Sequence, residues 1–282
     1  MDSSSLTLVA HDGRELAADR FTPRGPVRAQ VVVHGATAVP RGFYAPFARF
    51  LASAGYETLI YDYRGVGGSA LDNARDDDAI MSDWLTLDAP AAVRALRGDR
   101  PSVPFFAIGH SFGGQIASAL ADVEAPDAIV TLGAQRGYWA GFSAAEQPAI
   151  LLKLFVMLPL LTSTLGYLPA KPGLGVDMPA GIVREWARWC RNPDYFLGDH
   201  PELRERMASY TGSLLALSVT DDAFAPLANV AWLYDLHQGA ERQHARFRPL
   251  DAGVVSFGHF GFVRMQHAET VWPEIVGHFA EV

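Results

Sequence analysis

Residues 109–113 form a Gly-x-Ser-x-Gly pentapeptide, Gly-His-Ser-Phe-Gly, a pattern that is suited to nucleophilic chemistry at Ser111. The apolar residues 103–108 before it are typical of a buried strand, and the small and apolar residues 114–120 after it favour a helix. A sharp turn between strand and helix exposes the serine hydroxyl, and glycine is needed on both sides because a Cβ would clash where the two elements meet. The alternative is an ordinary glycine-rich turn with an incidental serine.

A serine nucleophile needs a base, and His259 is the best placed of the nine histidines. It lies in a glycine-flanked loop between the last predicted strand and the final helix. His34 and His110 also lie in glycine-containing turns, but their positions suit structural hydrogen bonding better than proton transfer. The alternative for His259 is a surface-loop histidine without a catalytic role.

The acid that would orient this base is expected just after the predicted strand 214–219, where Asp221 and Asp222 are adjacent. Neighbouring carboxylates on a loop point in different directions, so only one of them can meet His259. We expect the other carboxylate to cap the helix that begins near Pro226.

The elements that must position these residues alternate between strands and helices, which indicates an α/β fold with a mostly parallel sheet flanked by helices. An N-terminal hairpin precedes them, and Pro90 is expected to bend or break the helix predicted over residues 82–96. Sites of parallel sheets gather at the carboxyl ends of the strands, so Ser111 and His259 are expected on one rim. The predicted strands are residues 6–10, 15–21, 30–33, 58–62, 103–108, 128–132, 214–219 and 245–250.

The alternation stops between residues 136 and 211, and we interpret this segment as a helical cap or lid inserted into a core of residues 1–135 and 212–282. It has no clear strand. About half of its aromatic residues are expected to pack its own core and the others to line an apolar substrate pocket. Residues 149–168 are nearly long enough to span a bilayer, but Lys153 and Pro159 interrupt them, so a partly buried helix pair is the preferred interpretation.

Composition argues against several classes of partner and cofactor. The net charge of −8 and the lack of a Lys/Arg cluster argue against a nucleic-acid partner. The single cysteine, Cys190, allows no intramolecular disulfide, and the first residues lack the features of a signal peptide, so a cytoplasmic location is expected. No His/Cys/Glu pattern has metal-ligand spacing, and residues 64–68 lack the spacing of a dinucleotide-binding loop. We therefore expect no metal and no cofactor.

The chain resembles α/β-hydrolase-fold serine hydrolases over nearly its whole length except the insertion. The order serine, aspartate, histidine along the chain is also that of this fold. Within the fold, the chain is similar to a poorly characterised bacterial group described as predicted α/β-hydrolases. The motifs that carry the resemblance are Val-His-Gly at 33–35, Tyr-Asp-Tyr-Arg-Gly-Val-Gly-Gly-Ser at 61–69, Gly-His-Ser-Phe-Gly-Gly at 109–114, Asp-Ala-Phe-Ala-Pro at 222–226 and Gly-His-Phe at 258–260.

The resemblance implies a catalytic triad of Ser111, Asp222 and His259. Asp222 is the better acid because members of the fold commonly place it four residues ahead of a proline, here Pro226. Asp221 remains the alternative. In such a triad His259 takes the proton of Ser111, and the carboxylate holds the imidazole in the required tautomer.

The resemblance also implies an oxyanion hole made by the backbone N–H groups of Ala36 and Phe112. Thr37 departs from the glycine-rich form of this loop and would add a hydroxyl donor or narrow the site. The expected reaction is cleavage of a carboxylic ester, or a related acyl bond, of a fairly apolar small molecule through an acyl-enzyme. An acyltransferase with the same triad and a catalytically silent ligand-binding protein are the alternatives.

Overall fold

The computed structural model describes residues 1–98, 100–120, 124–170 and 175–282, and an eight-stranded sheet organises this part of the chain. The insertion, residues 136–211, includes residues 171–174, which lie outside the described residues. The strands are β1 (Asp2–Val9), β2 (Glu15–Thr22), β3 (Ala29–His34), β4 (Tyr56–Tyr61), β5 (Phe105–His110), β6 (Ala128–Leu132), β7 (Tyr167–Leu168), β8 (Met178–Pro179), β9 (Ser213–Val219) and β10 (Glu241–Phe247).

The large sheet has the order β1-β2-β4-β3-β5-β6-β9-β10. The β1–β2 hairpin is antiparallel and joins β4 in antiparallel fashion, whereas every pair from β4 through β3 to β10 is parallel. Strands β3, β4, β5 and β6 are buried along their whole length, as expected of parallel strands that are covered on both faces. The predicted hairpin and the mostly parallel sheet are confirmed. The parallel pairing places the carboxyl ends of β5, β9 and β10 on one rim.

Helices lie between the strands and cover the sheet. Short 3-10 segments occur at Arg41–Tyr44, Gly67–Ser69, Ala74–Asp76, Trp139–Gly141, Tyr195–Gly198, Pro249–Ala252, Gly261–Val263 and Met265–His267. The α-helices are α1 (Ala45–Ser53), α2 (Met81–Asp83), α3 (Ala89–Arg97), α4 (Phe112–Ala119), α5 (Gln147–Leu152), α6 (Leu158–Leu165), α7 (Ala180–Arg191), α8 (Glu202–Ser209), α9 (Leu227–Asp235) and α10 (Trp272–Glu281).

Two apolar clusters cover the two faces of the sheet. Successive side chains of a strand point to opposite faces, so Val32 belongs to one cluster while Val31 and Val33 belong to the other. Helices α3 and α4 pack in the Val32 cluster, whereas α1 and α10 pack in the cluster of Val31 and Val33. This two-sided packing fixes the strand ends from which the candidate site is built.

The helix predicted over residues 82–96 has no break at Pro90, so that part of the expectation is wrong. A π turn, Trp84–Asp88, joins α2 to α3, and the Ala89 N–H donates to the Trp84 carbonyl, five residues back. Proline normally clashes with the carbonyl four residues before it, and the wider π turn relieves that clash. Pro90 therefore occupies the first turn of α3, where its missing N–H is tolerated.

A second π turn makes residues 147–165 one continuous helix, so the prediction of a helix pair is wrong. A π turn, Lys153–Met157, joins α5 to α6 just ahead of Pro159. This helix is long and apolar enough to meet the length and composition of a membrane span, and most of its residues are not buried. The insertion also contains one small ladder, in which β7 and β8 pair in antiparallel fashion.

Candidate active site

The turn between β5 and α4 holds Ser111 in a strained backbone conformation with φ +56° and ψ −120°. Such a conformation in a residue other than glycine marks a place where the surrounding structure imposes strain. A Cβ at Gly109 would overlap the backbone of Gly113, and one at Gly113 would overlap the carbonyl oxygen of His34. The predicted need for glycine on both sides of the serine is therefore confirmed.

The structure brings His259 and Asp222 together at the carboxyl ends of β9 and β10. The His259 Nδ1 lies 2.7 Å from Asp222 Oδ2, and both side chains are almost fully buried. The other carboxylate oxygen of Asp222 accepts hydrogen bonds from the N–H groups of Phe224 (2.8 Å) and Ala225 (3.1 Å). Asp222 therefore holds His259 with Nδ1 protonated and leaves the Nε2 lone pair available for accepting a proton.

Asp221 binds the loop that carries His259 and does not meet its imidazole. Its carboxylate accepts hydrogen bonds from the Phe257 N–H (2.9 Å), the Gly258 N–H (3.1 Å) and the Ser256 hydroxyl (3.0 Å). Partial burial opposes ionisation, but these three hydrogen bonds together hold the pKa of Asp221 below its usual value. The expectation that the second carboxylate caps the helix near Pro226 is wrong, since the turn ahead of α9 is bonded by Asp222 instead.

Ser111 and His259 line one cavity. No hydrogen bond joins the Ser111 hydroxyl to His259 within the described ranges of the chain. Catalytic hydrogen bonds of this kind are often long in a ligand-free site and tighten when substrate is bound.

Gly133, at the end of β6, allows the histidine and the aspartate to approach each other. Its φ is +56°, and a Cβ there would lie 3.0 Å from Asp222 Oδ2 and 3.4 Å from His259 Nδ1. Sequence reasoning did not single out this residue. Its one signal is a glycine that directly follows a buried strand on the rim where the site was expected.

The two predicted oxyanion donors differ in their surroundings. Phe112 is the first residue of α4, so its N–H has no carbonyl partner within the helix and lies at the positive end of the helix dipole. The Ala36 N–H donates to the Tyr44 hydroxyl at 2.7 Å, which departs from the expectation that it is free for substrate. Tyr44 reaches it because its ring packs beneath Gly35 at the start of α1. Thr37 also lines the cavity.

Tyr44 begins a hydrogen-bonded chain that ends on the backbone of His259. The Tyr44 hydroxyl lies 2.9 Å from His110 Nδ1, and His110 Nε2 lies 2.9 Å from the His259 carbonyl oxygen. A carbonyl only accepts, so His110 carries its proton on Nε2, and its Nδ1 accepts the hydroxyl proton of Tyr44. Burial lowers the pKa of His110 to about 3 and keeps it neutral, in agreement with the structural role expected of it.

The surroundings of His34 also indicate a structural role. Its Nδ1 lies 2.7 Å from the Tyr61 hydroxyl, and burial lowers the pKa of His34 to about 3. A histidine that stays neutral at every ordinary pH is a poor proton carrier. Of these three histidines, only His259 is bonded to a carboxylate.

The cavity at the site has a volume of about 640 Å³, and it is lined by residues of both the core and the insertion. The insertion contributes the aromatic side chains of Phe142, Trp186 and Tyr195, while Trp189 is buried beside Phe112 and Phe155 is half exposed. The cavity is lined by Ala36, Thr37, Ser111, Phe112, Gln115, Gln135, Gly137, Phe142, Ala145, Glu146, Ala149, Ile150, Lys153, Leu154, Trp186, Cys190, Tyr195, Ala223, Phe224, His259 and Phe260.

No group of three or more His, Cys, Asp or Glu side chains within the described residues is arranged to hold a metal ion.

The parallel sheet, the strained serine turn and the aspartate–histidine pair define a protein of the α/β-hydrolase fold. A family model places the chain more narrowly. The model of the serine aminopeptidase, S33, family matches residues 25–248, and the chain belongs to that family.

Two named lipases are similar in sequence to part of this chain. The human monoglyceride lipase is 29% identical over 136 residues, which cover 48% of this chain and 40% of the lipase. The monoacylglycerol lipase of Mycolicibacterium smegmatis is 32% identical over 109 residues, which cover 38% of this chain and 37% of that lipase. The matches thus span about two fifths of the length of these lipases.

Solved structures resemble the whole fold. A thermostable carboxyl esterase from Bacillus coagulans superimposes with a TM-score of 0.68 and 13% identity, covering 100% of this chain and 99% of the esterase. At this level of identity the similarity establishes the fold.

Proposed function

We propose that the protein is a serine hydrolase that cleaves carboxylic esters of fairly apolar small molecules. The observation that carries the proposal is the buried pair of Asp222 and His259, whose histidine lines the same apolar cavity as Ser111. A neutral imidazole oriented by a buried carboxylate is the base that a serine nucleophile requires.

In the proposed mechanism His259 Nε2 takes the proton of Ser111 as the serine oxygen attacks the ester carbonyl. The resulting oxyanion is stabilised by the Phe112 N–H, which the geometry of α4 leaves available. His259 then gives the proton to the leaving alcohol, and an acyl-enzyme forms on Ser111. Water attacks this ester with His259 as base, releases the acid and restores the serine.

The second oxyanion donor in the proposal is Thr37. The Ala36 N–H reaches the oxyanion only by giving up its hydrogen bond to Tyr44. Thr37 is the next residue and lines the same cavity, where its hydroxyl serves as a donor.

The cavity favours an ester over a peptide. Its walls are mostly apolar, and apart from His259 the ionisable side chains at it are Glu146, Lys153, Cys190 and Tyr195. Glu146 already accepts hydrogen bonds from the N–H and the hydroxyl of Ser143. Burial between apolar walls costs a charged peptide terminus more hydration than it costs a neutral ester. The names of the lipase and esterase relatives agree with this choice.

We further propose that residues 136–211 form a cap that sets the substrate, on a core of residues 1–135 and 212–282. Support comes from the position of this segment between β6 and β9, and from the cavity walls that it shares with the core. Phe142, Ile150 and Trp186 of the proposed cap line the same cavity as Ser111 and His259 and contribute to its apolar character.

We also propose a cytoplasmic location. It is supported by the single cysteine, Cys190, whose thiol is buried beside the cavity and whose pKa is raised by that burial.

A fluorophosphonate probe tests the proposed function, since it labels a serine only when that serine is activated. We expect labelling of the wild type and none of Ser111→Ala, together with a loss of p-nitrophenyl ester hydrolysis of more than about 10⁴-fold. Ser118→Ala is the matched control because Ser118 lies in the same helix and its hydroxyl is bonded to the Gly114 carbonyl. It should label like the wild type. An unlabelled wild type would instead indicate a ligand-binding protein, and release of free acid as the main product excludes an acyltransferase.

A further inference from the structure

The helix of residues 147–165 places its charged and apolar side chains in an unusual way. The residues of this segment that line the cavity are 146, 149, 150, 153 and 154, whose spacing of three or four puts them on one helix face. Large apolar side chains of the same helix, such as Leu152, Phe155 and Leu160, are instead exposed. A surface helix normally turns its apolar face inward and its charged residues to solvent. Here the one charged residue of the helix, Lys153, lies on the cavity face.

The Lys153 ammonium group is not neutralised by the protein. Within the part of the chain that the structure describes, it has no ion pair and no hydrogen bond. Lys153 is exposed and also lines the cavity, so it lies at the cavity mouth. Among the described residues that line this cavity, it is the only Lys or Arg. An unpaired ammonium at the mouth attracts a negatively charged group that enters the cavity.

Glu146 is the only Asp or Glu among the described residues that line the cavity, and it is engaged elsewhere. Its carboxylate accepts hydrogen bonds from the Ser143 N–H (3.1 Å) and the Ser143 hydroxyl (2.6 Å). It precedes Lys153 by seven residues, which is about 10 Å along a helix axis. The two charges therefore mark different parts of the mouth, and a substrate anion is repelled by Glu146 and attracted by Lys153.

The charge of the insertion also favours an anion. Residues 136–211 contain eight Lys/Arg and seven Asp/Glu, whereas the rest of the chain contains 15 and 24. The negative net charge of the protein thus comes from the core, and the insertion is nearly neutral. In the neighbouring helix α7, Arg191 adds a positive charge: its guanidinium lies over the ring of Phe155, two residues beyond Lys153, at 5.1 Å. A negatively charged substrate is therefore not repelled by this side of the cavity.

A single ammonium group selects a carboxylate over a phosphate. A carboxylate carries one negative charge, which Lys153 alone balances. A phosphate monoester carries close to two at neutral pH, and its second charge would be left without a partner in a cavity that also contains Glu146. Ile150 and Leu154, on the same helix face as Lys153, provide apolar walls for a hydrocarbon chain.

We propose that Lys153 forms a subsite for a carboxylate at the far end of the acyl chain of the ester. The inference rests on the proposed ester hydrolysis and makes monoesters of aliphatic dicarboxylic acids the preferred class within it. Ser111 attacks the ester carbonyl, the hydrocarbon packs on the apolar walls, and the Lys153 ammonium binds the free carboxylate at the mouth.

Matched charged and neutral substrates test the subsite. The charged substrates are the p-nitrophenyl monoesters of adipic, suberic and sebacic acid, and the neutral ones are the same compounds with the free carboxyl methylated. We expect the wild type to favour the charged ester of best-fitting length over its neutral partner in kcat/KM by about threefold to fivefold at low salt, the effect of one solvent-exposed ion pair. The preference should shrink in 0.5 M NaCl, because salt screens such a pair.

Variants of Lys153 assign the preference to this residue. Lys153→Met should remove the preference for the charged ester, Lys153→Glu should invert it, and Lys153→Arg should keep it because the charge is retained. Arg24→Met is the matched control: it removes the same charge from an exposed side chain that follows β2, at the edge of the sheet opposite the site. It should keep the preference. If the preference is absent in the wild type at all three lengths, or survives in Lys153→Met, the subsite does not exist.

A binding measurement keeps this result separate from the proposed reaction. Calorimetry of monomethyl suberate and dimethyl suberate with Ser111→Ala, and with the same protein carrying Lys153→Met, needs no turnover. Tighter binding of the charged monomethyl ester that depends on Lys153 supports the subsite even if no ester is hydrolysed. A charged ester that binds no more tightly than the neutral one refutes it even if hydrolysis is fast.

Discussion

Two adjacent aspartates bind two different parts of one site. Asp222 contacts the His259 imidazole, while Asp221 accepts two backbone N–H groups and one hydroxyl from the loop that carries that histidine. Both carboxylates therefore act on the same residue, one on its ring and the other on its backbone. The structure supports Asp222 as the acid of the proposed triad and gives Asp221 a positioning role.

Asparagine at each position separates these roles. Asp222→Asn should lower kcat for p-nitrophenyl butyrate by about 10⁴-fold, because an amide favours the wrong imidazole tautomer. Asp221→Asn keeps one carbonyl oxygen for the loop and should lose about tenfold, in line with the loss of one well-placed hydrogen bond. Steady-state kinetics at pH 8, with circular dichroism as a check on folding, decides between them. A larger loss for Asp221→Asn would reverse the assignment.

At the scale of residues, the sequence predicts the site residues that can be recognised from their immediate neighbours in the chain. The glycines around Ser111, the order of Asp222 and His259, and their places after predicted strands all lie within short segments. Gly133 and Tyr44 were not predicted because their roles arise from tertiary contacts, of Gly133 with Asp222 and His259 and of Tyr44 with the Ala36 N–H. The acceptor of the Ala36 N–H is eight residues away in sequence, and no spacing rule predicts that the Tyr44 ring folds back beneath Gly35.

At the scale of elements, the serine turn depends on the close approach of two backbones. Gly113→Ala should lower the free energy of unfolding by about 3 kcal/mol and abolish hydrolysis, because its Cβ would overlap the His34 carbonyl and shift the loop that holds Ala36. Urea denaturation and p-nitrophenyl ester kinetics measure the two effects.

Gly277→Ala is the control for Gly113→Ala. Gly277 lies within α10, and a Cβ there meets nothing within 4 Å. Alanine should raise the free energy of unfolding by about 0.5–1 kcal/mol at this position and leave hydrolysis unchanged. If both alanine variants were equally stable and active, the proposed overlap at Gly113 would be wrong.

The strands lie close to the positions that the sequence predicts, whereas two helices do not end where the sequence predicts. Buried parallel strands are recognisable as short apolar runs, and residues 128–132 form β6 with the bounds expected. The helices around Pro90 and Pro159 were expected to break, and each continues through a π turn. Such a turn has no strong signature in composition. Its energy depends on how the widened turn packs against neighbouring elements, which a single sequence does not encode locally.

At the scale of the whole molecule, buried neutral histidines make stability depend on pH. Burial lowers the pKa of His34 and His110 to about 3 and that of His237 to about 4. Each takes up a proton near pH 6.5 when the chain unfolds but not while it is folded, so stability falls as the pH drops below about 6.5. Each can contribute up to about 1.4 kcal/mol per pH unit between its unfolded and folded pKa.

Replacing one of these histidines should weaken the dependence of stability on pH. In urea denaturation between pH 7 and pH 5, His237→Gln should lose stability less steeply than the wild type, by up to about 1.4 kcal/mol per pH unit. His11→Gln, at an exposed position, should follow the wild type. Because both proteins contain the same carboxylates, the contribution of these groups to the pH dependence of stability cancels in the comparison. Parallel curves for wild type and His237→Gln would show that this buried histidine takes no part.

The bond from His110 to the His259 carbonyl joins residues 149 positions apart in the chain. During synthesis Ser111 therefore leaves the ribosome long before the imidazole that would activate it, and the aspartate also arrives later. An unfinished chain holds a serine without a base, which is an ordinary alcohol. If the proposed triad is right, the site is complete only after β9, β10 and the loop of His259 have docked, and a nascent or truncated chain has no activated serine.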